Sequence, residues 1–152
     1  MKVTLGLTSP RIISGFPGIG KSWLKTNSNL RVSDSDSSQW SKDGFPSNYL
    51  AHIQALHTAG NTDIILVSSH DAVRKGLVDL GLTFILVYPS VECKQEYLKR
   101  YADRGSPQAF IDMMEKNWES FIEGCENQEA CHKIELKAGE FLSDSDILSK
   151  RC

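Results

Sequence analysis

At 152 residues, 40% hydrophobic and 24% charged, the chain has the length for one packed domain and the charge content of an ordinary globular protein. Its net charge of −2 supplies no general basic field, which argues against a nucleic-acid polymer or an acidic membrane surface as partner. No run of about 18 apolar residues offers a membrane span, and the stretch from Met1 to Pro10 is too weak for a secretory leader, so a cytoplasmic protein is expected.

The elements follow in chain order. Arg11 to Ser14 reads as a short buried strand running into Gly15-Phe16-Pro17-Gly18-Ile19-Gly20-Lys21-Ser22. That octet matches G-x-x-x-x-G-K-[ST] in full, with a strand before it and a predicted helix, Ser22 to Lys25, after it. Glycines let successive N–H groups curl inward around phosphate oxygens, and the helix adds its positive N-terminal end. Gly15, Gly18, Ile19, Gly20, Lys21, Ser22 and Trp23 are therefore the expected ATP-binding residues. Lys21 supplies charge for the β- and γ-phosphates, and the Ser22 hydroxyl is a ligand for Mg²⁺. By average residue usage, a chain of this length matches the octet by chance roughly once in a few hundred.

Leu30 to Ser33 reads as a second strand, followed by Asp34-Ser35-Asp36. Two carboxylates two residues apart on extended backbone point the same way. One suits Mg²⁺ through water, and the other suits an acceptor hydroxyl. Tyr49, Ile53 and Leu56 give Asn48 to Ala59 helical spacing, with Ser47 as the expected N-cap. Trp40, Phe45, Pro46 and Tyr49 read equally as a nucleobase wall and as core filler.

Asp63 to Ser68 carries a continuous β-branched run, as parallel strands covered on both faces do. It ends in Ser68-Ser69-His70, and Asp71 to Leu80 is a predicted helix stopped by Gly81. Arg74, one turn into that helix, suits a forked grip on a phosphate or carboxylate. Ser69, His70 and Arg74, with Asp34 and Asp36, are the expected acceptor-binding residues. Leu82 to Tyr88 is a fourth strand. Ser90 caps a helix expected to run to about Arg104, where Arg100 and Arg104 share a face before Gly105 and Pro107 break it. Such a cationic flap closes over phosphates and excludes water. A second helix follows Pro107, with Phe110, Met114, Trp118 and Phe121 on one face; His132 to Leu136 is a last strand and Ser143 to Ser149 a last helical turn or two.

The alternation predicts an α/β fold: three αβα layers around a five-stranded, mostly parallel sheet, as one domain over residues 1–152. Cys93, Cys125, Cys131 and Cys152 form no C-x-x-C pair and no metal spacing with histidine. Reduced thiols are expected, with a Cys125–Cys131 bridge as the alternative in an oxidising setting.

The cradle followed by Asp34-x-Asp36 resembles shikimate kinase, which implies a metal role for Asp34 and an acceptor role for Asp36. The third-strand end with Arg74 resembles gluconate kinase and the nucleoside monophosphate kinases. Arg100 and Arg104 stand where small kinases of these types carry lid arginines, and the short segment after Arg104 resembles the short-lid members. By the same resemblance, Lys137 to Glu140 lines the adenine. The implied activity is ATP- and Mg²⁺-dependent transfer of the γ-phosphoryl to a small acceptor, a (deoxy)nucleoside monophosphate before a metabolite hydroxyl. Lys21, Asp36, Arg100 and Arg104 would be catalytic, and Ser22 and Asp34 would hold metal. A non-catalytic ATP-binding switch is the alternative from another class. GTPase signatures D-x-x-G and N-K-x-D are absent from the sequence, and the third strand lacks a terminal acid for activating water. The partners expected are a small-molecule or nucleotide acceptor, no nucleic-acid polymer and no membrane, with the chain a monomer or homodimer.

Overall fold

The three apolar runs form the centre of one sheet. The computed structural model describes residues 10–21, 31–34 and 43–142. Within them lie five strands, β1 (Arg11–Gly15), β2 (Val32–Asp34), β3 (Ile64–Ser68), β4 (Phe84–Pro89) and β5 (His132–Leu136), in the order β2-β3-β1-β4-β5. Every pairing is parallel, so the sheet is fully rather than mostly parallel. β1, β3 and β4 lie inside and bury nearly every residue, which is why they read as unbroken apolar runs. β5 is an edge strand, and its His-Lys-Ile-Glu-Leu pattern buries only Leu136.

Four helices are described: α1 (Ser47–Ala59), α2 (Asp71–Asp79), α3 (Lys94–Asp103) and α4 (Gln108–Glu126). α1 packs on α2 and β3, and α3 packs on α4, giving helical layers around the sheet. The core joins the strands to Tyr49 and Ile53 of α1, Val73 and Leu77 of α2, Tyr97 and Tyr101 of α3, and Met114, Trp118 and Ile122 of α4. Ser47 is the first residue of α1 rather than its cap; Pro46 holds the N-cap position, and Asn48 Oδ1 accepts from the Tyr49 amide at 2.7 Å. Ser90 caps a 3-10 turn, Val91–Cys93, before α3 begins at Lys94. Gly81, with φ of 73°, follows α2 as its stop. The last helical turn expected after Ser143 falls outside the described residues. Among those described, no helix is long and apolar enough to cross a membrane.

The topology fixes where chemistry collects. β1 is central, and the chain leaves it toward β2 and β3 on one side but reaches β4 and β5 on the other. Such a switch point opens a crevice beyond the carboxyl end of the strand. In register, Gly15 pairs with both Ser68 and Val87, so the octet and the Ser-Ser-His run emerge side by side. Ser14 Oγ locks this by donating to Ser68 O at 2.9 Å.

Candidate functional site

The loop after β1 has its carbonyls tied down one after another. Tyr101 Oη donates to Pro17 O at 2.8 Å, and Arg100 Nη1 donates to Gly18 O at 2.7 Å. The Leu142 amide donates to Ile19 O at 2.7 Å. In a trans peptide the N–H points opposite to the C=O, so each anchor turns the amide that follows it away from the group holding the carbonyl. Among the described residues, the amides of Gly18 and Gly20 have no hydrogen-bond partner, while that of Ile19 makes a long 3.4 Å bond to Phe16 O. Gly18 and Gly20 sit at φ of 94° and 97°, a region side chains rarely adopt. A Cβ on Gly18 would also meet the Tyr97 and Tyr101 rings at 3.0 and 3.1 Å. Unfilled amides on a positive-φ loop make an anion nest, and these residues fit the phosphates of a nucleotide.

Phe16 braces the loop from below, edge-on to Trp118 at 5.4 Å between ring centroids. Lys21 begins helical backbone, and its Nζ donates to Gly15 O at 2.9 Å. Ser22, Trp23 and Asp36 lie outside the described residues. Asp34 ends β2 level with Leu66 and, across β3, Ile13; its side chain also lies outside. The side chains expected to hold Mg²⁺ thus lie outside the described ones, and among the described residues no group of His, Cys, Asp or Glu is arranged for a metal.

The cradle opens into a cleft of about 1420 Å³, walled by Ser68 to Asp71 and Arg74 on one side and by Arg100, Arg104 and α4 on another. The structure therefore gathers Gly15, Gly18, Gly20, Lys21, Ser69, His70, Arg74, Arg100 and Arg104 around one space. The Ile19 side chain is fully buried beneath the loop, leaving only its backbone for a ligand.

Arg74 is 5% exposed. Its Nε donates to Ser69 O at 2.9 Å, and Nη1 to Gly124 O at 3.0 Å and Gln128 Oε1 at 2.8 Å. The forked grip expected of it on a ligand is thus partly spent on fastening α2 to the end of α4. Nη2 keeps only Asp71 Oδ1, at 3.7 Å, beyond hydrogen-bond reach. A buried cation is costly without a close anion, and this one stands in the cleft wall with a nitrogen to spare among the described residues.

Arg100 makes contacts a mobile flap does not need. Its guanidinium lies 4.2 Å from the Tyr97 ring centroid and 3.9 Å from that of Phe141. Beyond Gly18 O, it donates to Glu96 and to Glu140 O at 3.2 Å. Glu96 in turn accepts the Gly139 amide at 3.0 Å. Arg100 therefore staples the loop after β5 to the phosphate cradle. Glu96 and Tyr97 lie within about one turn of Arg100 on α3, but Gly18 and Glu140 are 82 and 40 positions away, and nothing in its helical spacing signalled those two. Arg104 behaves differently: it is exposed at the end of α3, held by a 3.3 Å contact to Ser106 Oγ and a 5.2 Å approach to the Tyr101 ring.

Of the aromatic quartet, Tyr49 is core, its hydroxyl accepting the Ser68 amide at 3.1 Å. Phe45 packs on Tyr49 and edge-on to His70; Trp40 lies outside the described residues. Cys93, Cys125 and Cys131 are free thiols. Cys125 lines the cleft, but burial pushes its thiol up to about 11, so it stays protonated and is a poor nucleophile at neutral pH.

No protein-family model matches this chain, and no curated protein does either. The chemistry of the cleft has to carry the assignment.

Two expected results follow from these contacts. Tyr101→Phe removes the hydroxyl that anchors Pro17 O, an interaction worth about 1 kcal/mol. It should weaken nucleotide binding about fivefold with the fold intact, and calorimetry showing unaltered affinity would deny the anchor a role in shaping the cradle. His70, exposed at its outer edge, is held below its ordinary value by partial desolvation first, then by the Lys21 and Arg74 cations. It is therefore neutral at pH 7. The unfolded chain binds its proton more readily, so the stability contributed by the neutral form is present above about pH 6.5 and falls away as pH drops toward the lowered native value. A proton NMR titration of His70 should show a midpoint below about 6.5, rising when inorganic pyrophosphate is added; a midpoint at or above that value contradicts the placement.

Proposed function

We propose that the protein is an ATP- and Mg²⁺-dependent phosphotransferase that moves the γ-phosphoryl of ATP to a small acceptor, a (deoxy)nucleoside monophosphate before a metabolite hydroxyl. The observation that carries this reading is the cradle. Its carbonyls at Pro17, Gly18 and Ile19 are each hydrogen-bonded, and among the described residues the Gly18 and Gly20 amides, close to Lys21, have no partner. Phosphoryl transfer asks little covalent chemistry of a protein and much positioning and charge stabilisation, which is what this cleft supplies.

In the proposed reaction the acceptor oxygen attacks the γ-phosphorus, the bond to the β,γ-bridging oxygen breaks, and ADP leaves with that electron pair. The cradle amides hold the β-phosphate while the Lys21 ammonium offsets charge on the transferring group. Ser22 and Asp34 are the candidate ligands that would hold Mg²⁺, which would supply charge neutralisation to the phosphates. Arg104, exposed at the cleft rim, is the arginine left to meet the γ-phosphate once Arg100 is taken as the staple. Arg74 Nη2 supports an anionic acceptor. A monophosphate oxygen is already ionised and needs no base; a hydroxyl acceptor would call on Asp36.

The test is ADP release with Mg·ATP against a panel of nucleoside monophosphates, shikimate and gluconate. Turnover that depends on one member of the panel is expected. ATP binding with no acceptor-dependent turnover on any of them would favour the non-catalytic switch instead.

A further inference from the structure

The cleft is larger than its phosphate chemistry requires. Its volume of about 1420 Å³ exceeds the roughly 300–1,000 Å³ usual for one small ligand, leaving room beside a nucleoside triphosphate. The remaining wall is a face of α4. Met113 and Phe121 are 43% and 38% exposed, and both line this cleft. Phe110 continues the face toward α3, edge-on to Tyr101 at 5.1 Å. At the other end Gly124 receives the Arg74 guanidinium, whose Nη2 lies 3.4 Å from where a Cβ would stand. An apolar surface thus runs along the helix up to the buried Arg74 cation, whose Nη2 has only the 3.7 Å ion pair with Asp71 among the described residues.

We propose that this face of α4 seats a nucleobase, with Arg74 fixing the anionic group of the same ligand. Phe121 stands one helical turn, about 5 Å, before Gly124, and Met113 about 12 Å further along the helix, so a ligand held by phosphate at Arg74 can lay a ring on Phe121 with its far edge toward Met113. Phenyl rings and thioethers favour planar aromatic partners. They offer no strong donor or acceptor, so a polyol gains no hydrogen bond from this face, whereas a base gains stacking area. The occupant is therefore a nucleotide and not a sugar phosphate. Calling it the phosphoryl acceptor rests on the phosphotransfer reading; the affinity of the face for a base does not.

The chain has three methionines, which suits methyl-¹³C methionine NMR. With Mg²⁺ and a non-hydrolysable ATP analogue present, AMP should shift the Met113 methyl signal saturably. Ribose 5-phosphate, which keeps the phosphate and sugar but lacks the base, should bind at least about tenfold more weakly. Met113→Asp and Phe121→Asp alter exposed side chains and should weaken AMP at least about tenfold, leaving the unfolding midpoint and the affinity for the analogue unchanged. Phe121→Leu should retain most of the AMP affinity. Equal responses to AMP and ribose 5-phosphate, or AMP affinity untouched in both aspartate variants, would overturn the proposal. If the analogue fails to bind while AMP still moves Met113, the phosphotransfer reading falls and the nucleobase seat stands.

Discussion

Replacing Lys21 by alanine should cut turnover by about 10²–10³-fold, the loss typical when one preorganised charge is removed from a developing oxyanion. Stability should change far less than turnover, by about 1 kcal/mol for the hydrogen bond from Nζ to Gly15 O at 2.9 Å. That contact links two points of the same turn and fastens no separate elements. Lys21→Arg should not restore activity, since a planar fork cannot replace a compact ammonium within so tight a loop. Steady-state ADP release alongside thermal unfolding separates the two effects. Ordinary turnover in the alanine variant would remove the cradle from the chemistry.

Arg100→Ala should damage the molecule in another way. The side chain is 15% exposed, and its Glu96 partner 31%. Losing it removes donors from Gly18 O and Glu140 O and both ring contacts. Charge-assisted bonds are worth about 1.5–3 kcal/mol each and are not additive, so a net loss of about 3 kcal/mol is expected. At about 2–4 °C per kcal/mol for a chain of this size, the unfolding midpoint should fall by about 6–12 °C. Nucleotide affinity should fall with it, because Gly18 loses an anchor. Arg100→Lys should recover little, since an ammonium cannot both stack between Tyr97 and Phe141 and fork to the carbonyls. A simple lid arginine would give the opposite pattern, reduced kcat with an unchanged midpoint, and that outcome would refute the staple.

These two residues also mark how far the sequence could be read. Lys21 belongs to a contiguous motif whose spacing encodes a backbone shape, so its surroundings were legible. The inner strands were legible for a related reason: burial on both faces demands unbroken apolar runs such as Ile64 to Val67, all fully or almost fully buried. Even the polar edge strand β5 was found at His132–Leu136. Arg100 was legible only as a cation on a helix. Its partners Gly18 and Glu140 lie 82 and 40 positions away, and no local pattern specifies such pairings. Arg74 is similar, its bond to Gly124 spanning 50 positions.

α4 gives the subtler lesson. Phe110, Met114, Trp118 and Phe121 share a helical stripe, and a stripe says nothing of what covers it. Met114 and Trp118 are covered by the core at 2% and 0% exposure, whereas Phe121 and its neighbour Met113 open into the cleft. Apolar spacing alone cannot divide a helix face between core and ligand wall.

The most direct measurement is the amide proton–nitrogen NMR spectrum of the protein titrated with Mg·ATP. The Gly18 and Gly20 resonances should move downfield and saturate together at a single-site affinity, as amides gaining phosphate acceptors do, and Lys21→Ala should weaken that response. If both resonances stay in place at millimolar ATP, the loop holds no phosphate and the proposed function is wrong.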